Sequence, residues 1–492
     1  MLYAATALIV ISIFSYYLDE TVLIIPIGLI FISLAILIFK SIYHIVTIAT
    51  LIIIFTFCVF SEMSTIKSMD MFSNKRMTLN LVATEQPQNY GSVFLVTVRD
   101  VDKTKFAGDE KLLLMYSDDL DINAGDVFSA TVTAHSLKES QYKMSNYADS
   151  IYSQLELEKF ENKIGVDSYY SNLQDIRTYI SDTIDSSMSS ESAATMRGMV
   201  LGDKSCFSAE FSDNVRASGV SHVMVVSGLH LTIILGGFFT ILEMIFYNRY
   251  VKLFLSVISV LALVAICGFT VSAIRAGLMF VIAALASVMN RDGDSLSCLS
   301  FSLIIILISS PFSIFSVSLQ LSMLATFGII AIAPFYVEIG CQIKIFAKYK
   351  FLSAALKIII NTLSATVTTL PVLVHNFGCV SIVSPITNIL ITYAITLSLS
   401  FCCIAVFLSL VPLLEYISYL IFYIVDIIAS FINACINYFG SLGFATVDID
   451  NSFSFLAITP TILLLAIIYA CKRNGYLLKS NKVIKKEGAL CR

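Results

Sequence analysis

The sequence predicts a polytopic α-helical membrane protein of about twelve spans, carrying one inserted small β-barrel domain of OB-like type outside the membrane. Three observations carry this. Hydrophobic residues make up 57% of the 492 residues and charged residues only 13%, with mean hydropathy +0.85. Soluble domains hold about 45–50% apolar and about 25% charged residues. Apolar runs of membrane-crossing length recur along the chain. One stretch, 61–191, departs from them with 12 Lys and Arg against 21 Asp and Glu, one proline and no cysteine. An ordinary soluble enzyme, a disordered chain and a coiled coil are excluded. Eleven cysteines are too sparse for a disulfide scaffold.

The apolar runs fall at 2–17, 21–39, 42–60, 220–246, 252–269, 273–289, 296–317, 319–336, 353–374, 383–411, 415–438 and 454–471. No basic stretch or small-residue cleavage site precedes the first, so it reads as a retained span rather than a signal peptide. Lys40, Arg249 with Lys252, Arg291, and Lys344, Lys348 and Lys350 fall in alternate loops, and seven basic residues lie beyond 471. The positive-inside rule then places both termini in the cytoplasm and residues 61–191 outside a plasma membrane.

Within the insert, Thr78–Ala83, Ser92–Val98, Lys111–Tyr116 and Val127–Ala134 alternate with period two. Four or five short strands in so few residues suggest an OB-like barrel, although a β-sandwich has a similar signature. Such barrels bind single strands on aromatic platforms, and Tyr90, Phe94, Tyr116 and Phe128 are the available rings. Alternation makes a core role for these rings the simpler reading, and the acidic balance argues against a polyanion site. Next, Leu173, Ile176, Ile180, Ile184 and Met188 recur at helical spacing. That helix packs on the barrel or lies along the outer membrane surface.

Polar residues at membrane depth usually face a cavity or the bundle interior. The segment 216–230 sets His222, Ser227, Gly228 and His230 in an apolar run, after Gly219. Upstream lies Arg197 to Lys204, a small-residue turn with both charge signs, containing Gly202 and Asp203. Further clusters are Gly268 to Ala276 with Arg275, Pro311 followed by Gln320 and Ser322, Thr368-Thr-Leu-Pro371, and Ser384 to Asn388. Arg275 begins a span and either snorkels to the surface or lines a polar path for an anion. A Ser227–His dyad suits an intramembrane protease, but the string here is Val225-Val-Ser-Gly228, and a buried Ser usually bonds backbone. His222, His230 and His375 lack a carboxylate or Cys at ligand spacing, so no metal and no cofactor is expected.

These strings, taken in order, resemble the signature of ComEC-type competence proteins. They are Gly198…Leu201-Gly202-Asp203, Gly219-Val-Ser-His222…Ser227-Gly-Leu-His230, Arg275-Ala276, Pro311…Leu319-Gln-Leu-Ser322, Leu370-Pro371…Phe377 and Ser384-Pro385…Asn388. The likeness covers about 190–400, and the strand-rich insert fits the family's OB-like domain. It divides the chain into 1–60 with three spans, 61–165 as the OB-like domain, 166–215 as an amphipathic helical connector, 216–472 as the channel domain and 473–492 as a basic cytoplasmic tail. Two features depart from the family pattern. A proline usually follows the Asn, whereas Ile389-Leu-Ile-Thr-Tyr393 follows Asn388 here. Many members also end in a metallo-β-lactamase-like domain, and this chain has no His-x-His-x-Asp-His string among its five histidines.

The resemblance implies a channel passing single-stranded DNA inward during natural transformation, without catalysis of its own. Arg275, Gln320, His222 and His230 then offer weak donors to phosphate along the path. No Gly-x-x-x-x-Gly-Lys loop occurs. A separate cytoplasmic ATPase or helicase, a separate nuclease and a DNA receptor at the outer face are the implied partners, with a homo-oligomer as an option. Two other readings stay open. One is a small-solute or polymer-precursor transporter using Glu243, Asp426 and the histidines for protons. The other is an intramembrane serine hydrolase using Ser227.

Overall fold

The computed structural model describes residues 8–9, 42–85, 93–100, 111–116, 122–137, 143–203, 205–221, 224, 228–269, 271–289, 295–341 and 350–448. The apolar runs at 21–39 and 454–471, nearly all of 2–17, the basic tail, Tyr90, His222 and Ser227 lie outside the described residues.

Helix α1 (Ile42–Asp70) leads into the insert. Strands β1 (Arg76–Ala83), β2 (Val93–Asp100), β3 (Lys111–Met115) and β4 (Asp126–Ser136) match the four alternating stretches. A short helix α2 (Lys143–Ala148) precedes a fifth strand, β5 (Ile151–Val166). Pairing follows the cyclic order β1-β2-β3-β5-β4, so β4 returns to β1, and only the β3–β5 ladder is parallel. Glu156, Glu158, Glu161 and Lys163 mask β5 in the sequence by placing charges along it beyond Leu155. Beyond Leu155 the strand is largely solvent-exposed, so these charges carry little desolvation cost. Glu158 accepts from Thr133 (2.5 Å) and Glu161 from Thr131 (3.0 Å) on neighbouring β4.

The insert corrects one expectation. Phe94 is only 4% exposed, with its ring edge-on to Tyr116 at 5.6 Å. Phe128 is fully buried and stacks on Phe160. Both rings fill the interior, where alternation sends every second side chain, and Phe94 offers no face to a base. The insert is tied to α1: Ser136 Oγ donates to Asp70 (2.6 Å), Asn74 N–H to the Ala134 carbonyl (2.7 Å), and the Tyr152 hydroxyl to Glu62.

The rest is helical. Helices α3 (Ser168–Ser187), α4 (Ser190–Leu201) and α5 (Ala209–Ala217) come first. Then follow α6 (Gly228–Ile245), α7 (Arg249–Ile266), α8 (Val271–Val288) and α9 (Ser295–Ser309). A 3₁₀ turn at Pro311–Phe315 precedes α10 (Val317–Phe327), a π turn (Gly328–Ile332) and α11 (Ala333–Cys341). Last are α12 (Lys350–Phe377), β6 (Cys379–Ser381), α13 (Ser384–Ser409), α14 (Glu415–Gly440) and β7 (Thr446–Asp448), which pairs with β6. Among the described residues six helices are long and apolar enough to cross a membrane, and three apolar helices are shorter. This is the make-up of a membrane protein.

The chain divides into two compact units. The first comprises Met1–Cys206, Val225–Leu319 and Leu399–Asp426, and the second Phe207–Met224, Gln320–Ser398 and Ile427–Arg492. In the first, Leu231, Leu235, Val260, Val264, Cys267, Ala273 and Ala276 of α6–α8 form one buried cluster.

In the first unit, two helix ends that strict alternation of twelve spans would separate lie near each other. Alternation puts the carboxyl end of α7 outside and that of α13 inside. In the structure Arg177 of α3 donates to the Ile266 carbonyl at the end of α7. Tyr179, two residues on, shares a hydrogen bond of 3.0 Å with Ser409 at the end of α13. Two positions are about 3 Å apart along a helix, whereas a hydrocarbon core is about 30 Å thick. The two ends therefore lie closer together than the thickness of a hydrocarbon core.

Candidate functional site: motif strings that close two helix ends

The last four carbonyls of an α-helix have no partner within it. In the first unit, α4 ends in the string Gly198…Leu201-Gly202-Asp203, and all four are satisfied by different means. Gly202, left-handed at φ 78° as suits a glycine, donates its N–H back to Gly198 (3.2 Å). His230 of α6 is 1% exposed, and its Nδ1 donates to the Met199 carbonyl (3.1 Å), which fixes the ring hydrogen on Nδ1. Cys267, just past α7, directs its thiol at the Val200 carbonyl (3.9 Å). Arg177 of α3 donates one guanidinium nitrogen to Leu201 (3.3 Å) and the other to Ile266. One cation thus meets the negative ends of two helix dipoles.

The other end of α4 is held as firmly. Ser189, the N-cap, donates both its N–H (3.1 Å) and its hydroxyl (2.7 Å) to the Asp426 carboxylate of α14. Along α4, Arg197 pairs with Asp185 of α3 at 2.7 Å and with Asp203 at 3.7 Å, and also donates to Ser181 and Cys206. Nine of its twelve residues are buried.

The second unit repeats the device. Helix α5 ends in the Gly219 string, and its final four carbonyls are again all taken. Ser218 N–H serves Asn214 (2.8 Å), Val220 N–H serves Val215 (3.2 Å), and Gly219 N–H serves Arg216 (3.0 Å). Ser381 Oγ serves Ala217 (2.7 Å). Ser384 Oγ donates to the Gly219 carbonyl (3.4 Å) and receives Asn388 Nδ2 (3.2 Å). Gly219 is left-handed at φ 75°, and a Cβ there would meet Ser384 Cβ at 2.5 Å. Strings 165 residues apart in sequence thus form one joint.

A second close approach lies between α12 and the π turn. A Cβ on Gly328 would fall 2.5 Å from the Ser364 carbonyl oxygen, and Thr368 Oγ1 reaches the Leu324 carbonyl (2.9 Å). Gln320 and Ser322 are half-buried on α10, and Pro371 lies inside α12. Arg275 is 6% exposed, with Nη1 3.3 Å from Met279 Sδ. Its burial overturns the snorkelling alternative, since the side chain stays within the protein. Gly228 opens α6. The structure thus joins Gly202 with His230 and Gly219 with Asn388, but gathers no single cluster of all the candidates. Among the described residues no group of three or more His, Cys, Asp or Glu could hold a metal.

A family model described as "Competence protein" matches residues 199–474. The chain belongs to the competence protein family, of ComEC type. Among curated proteins it is similar to "ComE operon protein 3" of Bacillus subtilis (strain 168), 22% identical over 332 residues, which cover 67% of this chain and 41% of that protein. The chain therefore spans less than half the length of that relative. No solved structure matches.

Sequence reasoning passed over Arg177, Cys267 and Ser381 as members of these joints. Only Arg177 carried a signal: at 100° per residue it falls on the same arc of α3 as Leu173, Ile180 and Ile184. A lone cation inside an apolar arc asks for an acceptor nearby.

Proposed function

We propose that this competence protein passes single-stranded DNA across the plasma membrane during natural transformation, acting as a channel without nuclease or ATPase activity of its own. The family match over the helical part carries the reading. A strand with one charge per nucleotide needs polar lining and water to traverse hydrocarbon. A motor ATPase and a nuclease are then separate proteins, as is an outer-face DNA receptor. The cyclic strand order supports an OB-like assignment for the insert. With Phe94 inside, any strand contact there falls to rings outside the core.

The insert faces outward and both termini the cytoplasm. The nearness of the α7 and α13 ends supports placing them on one side, and two of the twelve apolar runs then do not cross fully. The solute-transporter reading is weakened by Asp426, whose carboxylate caps α4 rather than standing free for protons. Deleting the gene in a transformable host and measuring uptake of labelled DNA tests the proposal. Undiminished uptake would overturn it, and loss of uptake rescued by the wild-type chain is expected.

A further inference from the structure

Helices α3 and α4 run as a hairpin, joined near its open end by Arg177 to Leu201 and farther along by Arg197 of α4, whose side chain reaches Asp185 of α3. Its anchors on the apolar helices fix where it lies. Near the open end are the carboxyl ends of α7 and α13, through Ile266 and Ser409. At the tip is Asp426, midway along α14, which holds Ser189. Ser192 Oγ also donates to the Asp426 carbonyl (3.4 Å). Helices α13 and α14 are antiparallel neighbours here, with Ser418 Oγ on the Ala405 carbonyl (2.8 Å).

The lengths agree. From Tyr179 to Ser187 is about 12 Å of helix, and from Glu415 to Asp426 about 16 Å. The 26 residues of α14 measure about 39 Å, some 9 Å more than a hydrocarbon core of about 30 Å. Even if all that excess lay at the Glu415 end, Asp426 would sit about 7 Å inside the core. The hairpin tip must reach the same depth. Yet the α3 positions below Tyr179 that face outward are Asp182, Asp185 and Ser186, all exposed, and Glu191 is exposed at the start of α4. Carboxylates and an irregular turn at that depth are tolerated only against protein or water.

We propose that the α3–α4 hairpin is re-entrant. It enters the bilayer from the side of the strand-rich insert, descends to the level of Asp426, and lines a water-filled vestibule with Asp182, Asp185, Ser186 and Glu191. The inference rests on the membrane reading of α13 and α14, but not on what is transported. It assigns the connector a place within the membrane, where composition alone suggested a surface helix.

The test places a genetically encoded spin label, which avoids the eleven native cysteines, at Ser186 or at Leu420 of the full chain in lipid nanodiscs. Leu420 is 57% exposed on α14. Collision with oxygen reports depth in lipid, and collision with a water-soluble nickel chelate reports access to water. Both labels should lie at bilayer depth, with the chelate reaching Ser186 but not Leu420. A Ser186 label outside the bilayer, with Leu420 inside, would overturn the hairpin's placement alone. Both labels outside would overturn the membrane reading of α14 as well. Asp426→Leu removes the tip's anchor and should increase the mobility of the Ser186 label while leaving Leu420 unchanged. Unaltered mobility at Ser186 would also overturn the proposal.

Discussion

Gly219→Ala isolates the joint of the second unit. Two costs follow from the structure. The backbone at φ 75° is left-handed, which costs a residue with a Cβ about 1–2 kcal/mol. The new methyl would also lie 2.5 Å from Ser384 Cβ and 2.8 Å from Ser381 Cβ, and overpacking of this kind costs about 1–3 kcal/mol. The sum, about 2–5 kcal/mol, is a large part of the roughly 5–15 kcal/mol that holds a typical domain together. The assay compares the thermal midpoint and the monodisperse yield of the detergent-purified full chain for Gly219→Ala, Ser384→Gly and the double variant. Ser384→Gly removes the Cβ that clashes most, so the double variant should recover part of the packing cost but none of the dihedral cost. A coupling of about 0.5–3 kcal/mol between the sites is expected from such contact. A Gly219→Ala midpoint equal to wild type, or two strictly additive single changes, would refute the argument that this glycine permits the close approach.

Three further outcomes are expected. Phe94→Ala should destabilise the insert by about 3–5 kcal/mol, as for other buried aromatic rings, lowering full-chain yield; a well-folded Phe94→Ala protein with selectively weakened DNA binding would restore the platform reading. Arg177→Met should expose Cys267 to a thiol reagent, read site by site by mass spectrometry, because charge-assisted bonds of about 1.5–3 kcal/mol each are lost; Arg177→Lys should give an intermediate rate, since an ammonium lacks the two-pronged fork, and equal rates in all three proteins would show that the cation holds nothing together. Leu410→Cys should be modified by a membrane-impermeant reagent from the same face as Ser140→Cys, and protection of Leu410→Cys in intact cells with labelling after lysis would reinstate alternating spans.

Composition and the spacing of apolar runs sufficed for the membrane class, because hydrocarbon solvation acts on each segment independently. Period-two alternation likewise sufficed for β1 to β4, and period 3.6 for α3. The ordered strings identified the family. Partners distant in the chain were beyond such reasoning. Strand β5 pairs over its whole length yet is buried only toward its start, so the alternation of Gln154 to Glu158 gives way to a charged, exposed stretch that does not read as a strand. For Phe94 and Tyr90 alternation favoured the core but left a platform role open, and only the structure shows Phe94 inside. Asp426 looked like a proton carrier within a span, and only the approach of Ser189 revealed a helix cap. The same holds for Gly202 and Gly219. Their role is conformational, to end a helix in the left-handed region, but the donors that complete each end come from His230, Cys267 and Arg177, or from Ser381 and Ser384. A sequence specifies which groups will need a partner. Which group answers depends on packing, since hydrogen bonds form only at contact distance, and the carbonyls of Met199, Val200, Leu201 and Ala217 find their donors far along the chain.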